Sequence, residues 1–418
     1  MQQLQTLTVY RQILNDAVVQ LMIELLRTEN SEEKAIIFGE LYYNLAIENE
    51  NNVFFVSNGW QNHLLNLLLY DDNPFTRQTS VNNLDISPSL YRAAQHDLQC
   101  LTSLFQVDTT LDVKLAPWDK MVTTNDRLIR NYYENGYSEK IVQTLLASDN
   151  WSNCIDLLIN YYYTAGSGIF GRYHTLRWDG EKRCLTGVAN PDPIQITDLI
   201  GYQKERQKVL DNTEAFLSGS TGNNVLLYGD RGTGKSSTIK ALPNTYGGIG
   251  LRLIEVPKQF LSHFPTLVQL LNGRPQYYIL FVDDLSFEDS EVEYKALKAV
   301  MEGGVELKPK NVLVYATSNR RHLIRENFSE RQHDDVHAAD TMEEKLSLSD
   351  RFGLTVTFTA PDQKQYLEIV QGLANRRGLR FDEKELHSKA LQWVLNHSGR
   401  SGRLAKQFID HMEGRKKN

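Results

Sequence analysis

Hydrophobic positions recur every three or four residues through most of residues 1–165. These repeats cover Leu14–Leu26, Ala35–Leu45, Trp60–Leu69 and Ile141–Tyr163. Such spacing places the apolar side chains on one face of a helix, and Asp-Asp-Asn-Pro at 71–74 marks a break between two helices. We predict a helical N-terminal domain over residues 1–165, built as a bundle or a stack of helices. Its many tyrosines are expected in the core, in preference to an aromatic groove for a peptide.

The pattern changes at residues 166–193. Three glycines are followed by a short strand-like run at Tyr173–Trp178, a turn at Asp179-Gly180 and a second short run. This succession is typical of a β-hairpin. Asn190-Pro191-Asp192-Pro193 then forms a stiff segment. We predict a connector that contains a hairpin over residues 166–193.

From Ile194 onward, short apolar runs alternate with helical stretches. The strand-like runs are Val225–Tyr228, Leu251–Val256, Tyr278–Val282, Val312–Ala316 and Leu354–Phe358. The helical stretches between them include Lys235–Leu242 and Tyr294–Met301, and three more follow Ala360-Pro361, at Gln363–Arg377, Lys384–Asn396 and Gly402–Glu413. Alternation on this scale indicates βαβ units and a mainly parallel sheet. We predict an α/β core over 194–360 and a helical lid over 361–418.

A phosphate-binding loop stands directly after the first of these strands. Its residues, which satisfy the pattern G-x-x-x-x-G-K-[ST], are Gly229, Asp230, Arg231, Gly232, Thr233, Gly234, Lys235 and Ser236, followed by Ser237. Glycines let backbone N–H groups surround a phosphate, and the helix that follows directs its positive end there. Lys235 supplies a point charge to the phosphates, and Ser236 supplies a hydroxyl to Mg²⁺.

A second motif supplies carboxylates. The apolar run Tyr278–Val282 ends in Asp283-Asp284, and a strand that is apolar throughout is expected at the centre of a sheet. We predict that Asp283 holds Mg²⁺ through water and that Asp284 activates the attacking water. Glu288 is the reserve candidate for that base.

The order of the motifs resembles that of AAA+ ATPases. After the phosphate loop and the acidic strand end come Val314–Arg321, Leu348–Gly353 and Gly399–Leu404. The residues of these motifs are similar to those of an uncharacterised bacterial family of AAA+ proteins known only as a domain of unknown function. The similarity is most distinctive at Glu344–Leu354. The resemblance is strong over about 195–418 and weaker before it. It implies a parallel-sheet P-loop core with a helical lid, ATP and Mg²⁺ as ligands, and a homo-oligomer.

The resemblance also implies roles for further residues. Asn319 corresponds to sensor 1, which bonds the γ-phosphate or the attacking water, and Arg351 corresponds to the arginine finger of a neighbouring subunit. Arg403 corresponds to sensor 2, with Arg400 as the competing candidate. Gly201-Tyr202 lies where AAA+ proteins surround the adenine. One departure is the Asp-Asp ending, since the commoner form ends in Asp-Glu; the Asp-Asp form resembles helicase loaders.

Composition narrows the setting of the chain. The three cysteines Cys100, Cys154 and Cys184 form no CxxC pair, which argues against disulfides or a zinc site and favours the cytoplasm. There is no apolar stretch long enough for a membrane span, and the N-terminus lacks the pattern of a secretion signal. We therefore expect a cytoplasmic protein with no membrane contact.

Charge is distributed unevenly. Residues 1–165 hold 10 Lys+Arg against 20 Asp+Glu, whereas residues 376–418 hold 11 against 5. The acidic part is unsuited to binding nucleic acid through charge, while the basic end leaves nucleic-acid contact open.

The composition of the polar segment 326–345 is more typical of a flexible insertion than of a metal site.

Three functions remain open from the sequence. The first is an ATPase that remodels or loads an unidentified partner recognised by the N-terminal domain. The second is a nucleotide-controlled switch, like a helicase loader, with slow turnover. The third is a scaffold in which ATP is structural.

Overall fold

The computed structural model of the chain describes residues 2–48, 55–81, 85–107, 138–285, 309–319, 351–397 and 399–416, together with residues 297 and 301. The chain divides into two compact units, one formed chiefly by residues 1–173 and the other chiefly by residues 174–418. The first is mainly helical. The second is an α/β unit with a P-loop, a parallel sheet and a C-terminal helical lid, which is the predicted fold class. Over the described ranges, no helix combines the length and apolarity needed to cross a membrane.

The first unit contains eight α-helices in its described part. They are α1 (Ala17–Arg27), α2 (Ser31–Glu48), α3 (Gly59–Leu69), α4 (Pro74–Thr79), α5 (Pro88–Phe105), α6 (Ser138–Ala147), α7 (Ile155–Ala165) and α8 (Gly168–Arg172). The predicted break at 71–74 separates α3 from α4. Asn73 accepts the N–H groups of Phe75 and Thr76, and the Thr76 hydroxyl accepts the N–H of Asn73. This reciprocal cap fixes the start of α4.

Aromatic side chains fill the core of this unit. Trp60, Trp151 and Tyr162 are fully buried, and Tyr162 Oη donates to the carbonyl of Leu68 at 2.7 Å. The expected core role therefore holds for Tyr162, while Tyr43 is 64% exposed. Tyr132 and Tyr133 lie outside the described residues. The stretch predicted as continuous from Ile141 to Tyr163 is interrupted, because residues 148–154 form a turn and a short 3₁₀ helix before α7.

An ion triad around a buried histidine joins three helices of the first unit. His63 on α3 is 4% exposed, and its Nε2 lies 2.8 Å from Asp16 Oδ1. Its Nδ1 bonds to Glu48 Oε2 at the end of α2. Burial alone would lower the pKa of His63, but the hydrogen bonds to the two carboxylates outweigh it and raise the pKa to about 9. Asp16 also caps α1 by accepting the N–H groups of Val18 and Val19.

The second unit is organised around one seven-stranded sheet. Its strands are β1 (Thr175–Asp179), β2 (Cys184–Gly187), β3 (Val225–Gly229), β4 (Leu251–Glu255), β5 (Tyr277–Val282), β6 (Val312–Ser318) and β7 (Leu354–Phe358). Their order is β2-β1-β4-β5-β6-β3-β7. Among these described strands, the β1–β2 pair alone is antiparallel. The apolar strand β5 is central, as predicted, and its residues 278–282 are buried.

The hairpin predicted within 166–193 is present, and it extends this sheet. Its first strand pairs in parallel with β4, with Thr175 opposite Leu253. The compact α/β unit accordingly begins at His174. Sequence patterning predicts the hairpin, since its two strands are local, but not the pairing with a strand about 75 residues away.

Four helices of the second unit lie at positions predicted from the sequence, and three others, at Gln203–Leu217, Leu242–Tyr246 and Phe264–Leu271, were not predicted. In chain order, the helices are α9 (Gln203–Leu217), α10 (Lys235–Lys240), α11 (Leu242–Tyr246), α12 (Phe264–Leu271), α13 (Gln363–Arg376), α14 (Glu383–Leu395) and α15 (Gly402–Lys416). The helix predicted over Lys235–Leu242 ends at Lys240, and α11 starts with Pro243 in its first turn. Proline has no N–H to continue the ladder of α10, so the helix is interrupted there. Helices α13–α15 form the lid around Tyr366, Ile369 and Phe408.

Candidate functional site

The sheet brings three of the predicted motifs to one edge. The phosphate loop follows β3, Asp283 and Asp284 follow β5, and Asn319 follows β6. Because these strands are parallel and β6 lies between β5 and β3, their carboxyl ends meet. The acids are thus one strand removed from the phosphate loop, and β6 supplies the residues that bridge the gap.

Lys235 lies under the phosphate loop with its ammonium fully hydrogen-bonded. It is 6% exposed, and Nζ donates to the carbonyls of Gly229 at 2.9 Å and Asp230 at 2.7 Å and to Asn319 Oδ1 at 3.1 Å. Burial lowers its pKa, and the nearby aspartates oppose this shift. Gly232 and Gly234 have φ of 73° and 93°, a backbone conformation that favours glycine.

Ser236 and Asp283, the two residues predicted to hold the metal, are in direct contact. The Ser236 hydroxyl donates to Asp283 Oδ1 at 2.6 Å. The other carboxylate oxygen, Oδ2, lies 3.7 Å from Lys240 Nζ. A serine hydroxyl and a carboxylate are oxygen ligands of the kind that Mg²⁺ prefers.

Thr317 is a residue of this site that sequence reasoning missed. Its hydroxyl donates to Asp283 Oδ1 at 2.6 Å and accepts the backbone N–H of Asp284 at 2.9 Å. Its carbonyl accepts the N–H of Leu285 at 2.7 Å. A signal was available, since Thr317 stands two residues before Asn319 and alternate residues of a strand face the same side.

Asp284 adopts an unusual backbone conformation. Its φ is 51°, which costs about 1–2 kcal/mol for a residue with a Cβ atom. Its carboxylate Oδ1 accepts a hydrogen bond from Asn319 Nδ2 at 2.7 Å. The structure therefore brings the two predicted catalytic residues Asp284 and Asn319 into direct contact.

These residues line a cleft of about 1100 Å³ between the sheet edge and the lid. From the lid, Arg403 and Lys406 of α15 line it, and the Arg403 N–H donates to the carbonyl of Gly232 at 3.1 Å. Arg400 is exposed, is not among the lining residues and donates from Nε to the carbonyl of Pro361 at 3.3 Å. Of the two candidates for sensor 2, Arg403 is the one at the cleft.

Tyr202, predicted to lie at the adenine, lines the cleft together with three apolar residues. These are Ile200, Ile369 and Leu373, and charged residues such as Arg206 and Arg376 line it as well. Tyr202 has a φ of 53° and donates from Oη to the carbonyl of Thr359 at 2.6 Å. Gly201 adjoins this group, since a Cβ atom there would lie 3.2 Å from Ile369.

The remaining loop residues divide into two sets. Arg231, Thr233 and Ser237 line the cleft. Asp230 does not, because its carboxylate accepts the N–H of Ala360 at 2.6 Å and its own N–H donates to the carbonyl of Phe358. Asp230 thus joins the phosphate loop to the segment between β7 and the lid.

Arg351 is not brought to this cleft. It precedes β7, whose first residue Leu354 donates to the carbonyl of Asn224, just before β3. It therefore lies at the amino edge of the sheet, whereas the phosphate loop is at the carboxyl edge, about 17 Å along a five-residue strand. Glu288, the helix predicted over 294–301 and the segment 326–345 fall wholly or mostly outside the described residues.

The residues of the cleft fit a phosphate-bearing ligand with a small divalent cation. The glycine loop, the buried Lys235 and the start of α10 suit a phosphate. Ser236 and Asp283 supply oxygen donors for the metal. The cleft, at about 1100 Å³, has room for a ligand of this kind.

Solved structures of RuvB from Thermotoga maritima are similar to part of the chain; for one mutant the identity is 16%, the TM-score is 0.36, and the match covers 50% of this chain and 62% of that chain. For the structure described as the RuvB Holliday junction branch migration motor, the identity is 14%, the TM-score is 0.33, and the match covers 52% of this chain and 71% of that one. The chain thus spans about three-fifths of the mutant structure. No curated protein matches it.

A family model matches more than half of the chain. It covers residues 171–416 and so includes the hairpin, the whole sheet and the lid. The chain belongs to the family described as protein of unknown function DUF815.

Proposed function

We propose that this protein is a Mg²⁺-dependent ATPase of the AAA+ type. The observation that carries the proposal is one continuous chain of hydrogen bonds across the sheet edge. It runs from Lys235 through Asn319 to Asp284, and from the Asp284 N–H through Thr317 to Asp283 and Ser236. Phosphoryl transfer needs a lysine at the phosphates, oxygen ligands for Mg²⁺ and a base for the attacking water. These hydrogen bonds join residues suited to all three roles.

Each residue has a role in the proposed reaction, in which ATP and water give ADP and phosphate. The phosphate loop and Lys235 hold the phosphates, and Ser236 and Asp283 hold Mg²⁺, which neutralises developing charge when bound. Asp284 accepts the proton of the attacking water, and Asn319 orients that water. Arg403 contributes positive charge from the lid. Gly201 and Tyr202 bind the adenine.

The proposal extends to an assembly and a task. Arg351 lies at the sheet edge away from its own cleft, which supports a role at a neighbouring subunit's site in a homo-oligomer. The mainly helical first unit is proposed to recognise the macromolecule that is remodelled or loaded. Whether that macromolecule is a protein or a nucleic acid is a question for binding experiments.

A second candidate is a nucleotide-controlled switch with slow or no turnover. The observation that favours it is the short side chain of Asp284, whose Oδ1 is already engaged by Asn319. A base held in this way is less available to water. The two functions differ only in the rate of the chemical step.

A steady-state ATPase assay separates these functions. We expect Asp284→Asn to keep ATP binding while the rate falls about a hundredfold or more, as is usual when a general base is lost. Lys235→Ala should lose both binding and turnover, and Lys208→Ala, an exposed lysine on α9, is the matched control. Binding without turnover in the wild type would instead support the switch. Absence of binding would contradict both.

A further inference from the structure

Thr317 lies on the strand between the one that leads to the phosphate loop and the one that ends in Asp283-Asp284. It lies near the end of β6, the strand between β5 and β3. It is 2% exposed and lines the cleft. Its side chain therefore lies in the cleft, in contact with the acids that follow β5.

Three successive residues after β5 contact this one threonine. The hydroxyl bonds to the Asp283 carboxylate and to the Asp284 N–H, and the carbonyl of Thr317 bonds to the Leu285 N–H. The backbone of the acidic turn is thereby fixed on both sides of Asp284. A left-handed residue with a side chain persists when its surroundings over-determine it, and these contacts supply that constraint.

The direction of the Thr317 hydroxyl follows from its two partners. Its oxygen accepts the Asp284 N–H, which has only a donor to offer, so its single proton is left for the acceptor Asp283 Oδ1. Ser236 donates to the same oxygen. Two hydroxyls thus orient the Asp283 carboxylate, one from the phosphate loop and one from β6.

We infer that Thr317 is a positioning residue, which sets both the carboxylate of the metal ligand Asp283 and the turn that presents Asp284. The inference rests on the proposed nucleotide and Mg²⁺ site but not on turnover. Residues that hold a metal ligand by hydrogen bonds typically change metal affinity or activity by about 10–100-fold when replaced. Thr317 would therefore govern how strongly Mg²⁺ enhances nucleotide binding.

The test uses Thr317→Val, which keeps the shape and removes the hydroxyl, and Thr317→Ser, which keeps the hydroxyl. Thr355→Val, at an exposed position of β7 in the same sheet, is the control. Binding of a fluorescent ADP analogue is titrated in EDTA and across a Mg²⁺ series. For Thr317→Val we expect affinity in EDTA within about twofold of wild type, and a half-effect Mg²⁺ concentration about tenfold higher. Thr317→Ser and Thr355→Val should match the wild type.

Several results would overturn the inference. These are a Thr317→Val variant with wild-type Mg²⁺ dependence, a Thr317→Ser variant as impaired as Thr317→Val, or an equal loss of binding in EDTA. If Thr317→Val does not fold, Thr317→Ala serves as the second variant, with the same expectation. Wild-type protein that shows Mg²⁺-enhanced binding without turnover would contradict the proposed ATPase alone and leave this test intact. Wild-type protein that binds no ADP would overturn both.

Discussion

His63 carries a positive charge inside the first unit because carboxylates lie on both sides of its ring. Its pKa is raised from 6.5 to about 9. A group whose pKa is higher in the folded state stabilises fully below the unfolded pKa, and this stabilisation is lost as pH rises through the folded value. The triad therefore adds about 3 kcal/mol to the free energy of unfolding below about pH 6.5, as expected for a pKa raised from 6.5 to about 9. It adds nothing above about pH 9.

This pH dependence is testable by pulse-labelled hydrogen exchange of α1–α3 across a urea series. For the wild type, we expect the urea midpoint of these helices to fall between pH 6.5 and 9. His63→Gln should have a lower midpoint at pH 6.5 and little further decline. His96→Gln, at an exposed position on α5, is the control and should decline as the wild type does. A wild-type midpoint that stays flat over this range would exclude the charged triad.

Single residues of the candidate site were predictable to different degrees. Lys235, Ser236 and Asp283 follow from contiguous motifs, since their chemistry requires those residue types at fixed spacing. Thr317 was missed because its one signal, the two-residue spacing from Asn319, gains meaning only once Asn319 is placed at the site. The triad was missed for a related reason, since its partners lie 47 and 15 positions from His63 and no local periodicity links them.

At the scale of elements, the phosphate loop and the lid helix α15 contact each other directly. A Cβ atom on Gly232 would lie 3.0 Å from Arg403 Cβ and 3.1 Å from Ser401 Oγ. Gly273 has a similar φ of 76°, and nothing lies within 4 Å of the place that a Cβ atom would take there. Replacing each of these two glycines with alanine therefore separates the effect of backbone strain from that of a steric contact with the lid.

We expect Gly232→Ala to displace α15 and weaken nucleotide binding by about tenfold or more, because contact with the lid adds to a strain of about 1–2 kcal/mol. Hydrogen exchange of residues 402–416 should become faster. Gly273→Ala should show the strain as a lower unfolding midpoint, with normal nucleotide affinity and normal exchange of α15. Equal behaviour of the two variants would mean that the contact between the loop and the lid has no role in binding.

Elements of the second unit were largely predictable from the sequence. The limits of β7 match the predicted Leu354–Phe358 run, and the other four core strands agree within two residues, because apolar runs bounded by polar turns leave little choice. The order of the strands in the sheet could not be predicted as well from the sequence. Pairing between β1 and β4, or the insertion of β6 between β5 and β3, depends on contacts between distant segments.

For the whole molecule, the position of Arg351 has a consequence for assembly. If its guanidinium acts on a neighbouring subunit, Arg351→Ala has an intact cleft and lacks the finger, while Lys235→Ala has the finger and lacks the cleft. Each variant alone should be inactive. Mixed one to one, they should regain about a quarter of the wild-type ATPase rate, because one site in four combines an intact cleft with an intact finger in a random closed ring.

The mixing experiment also has a clear negative result. Recovery should require conditions in which subunits exchange, so mixing under conditions that prevent exchange is the control. An Arg351→Ala variant that is fully active alone would contradict the finger role. Two inactive variants that regain no activity despite demonstrated exchange would contradict shared sites.

The pairing of the hairpin β1–β2 with β4 has a consequence for where a fragment of this protein should begin. A fragment cut at residue 194 would retain every nucleotide motif but remove the strand that pairs with β4. Leu251 and Leu253, both almost completely buried, would then lie on an open strand edge, which is a template for intermolecular pairing. Fragments for crystallisation or for comparison across the family should therefore start before His174, where the family match also starts.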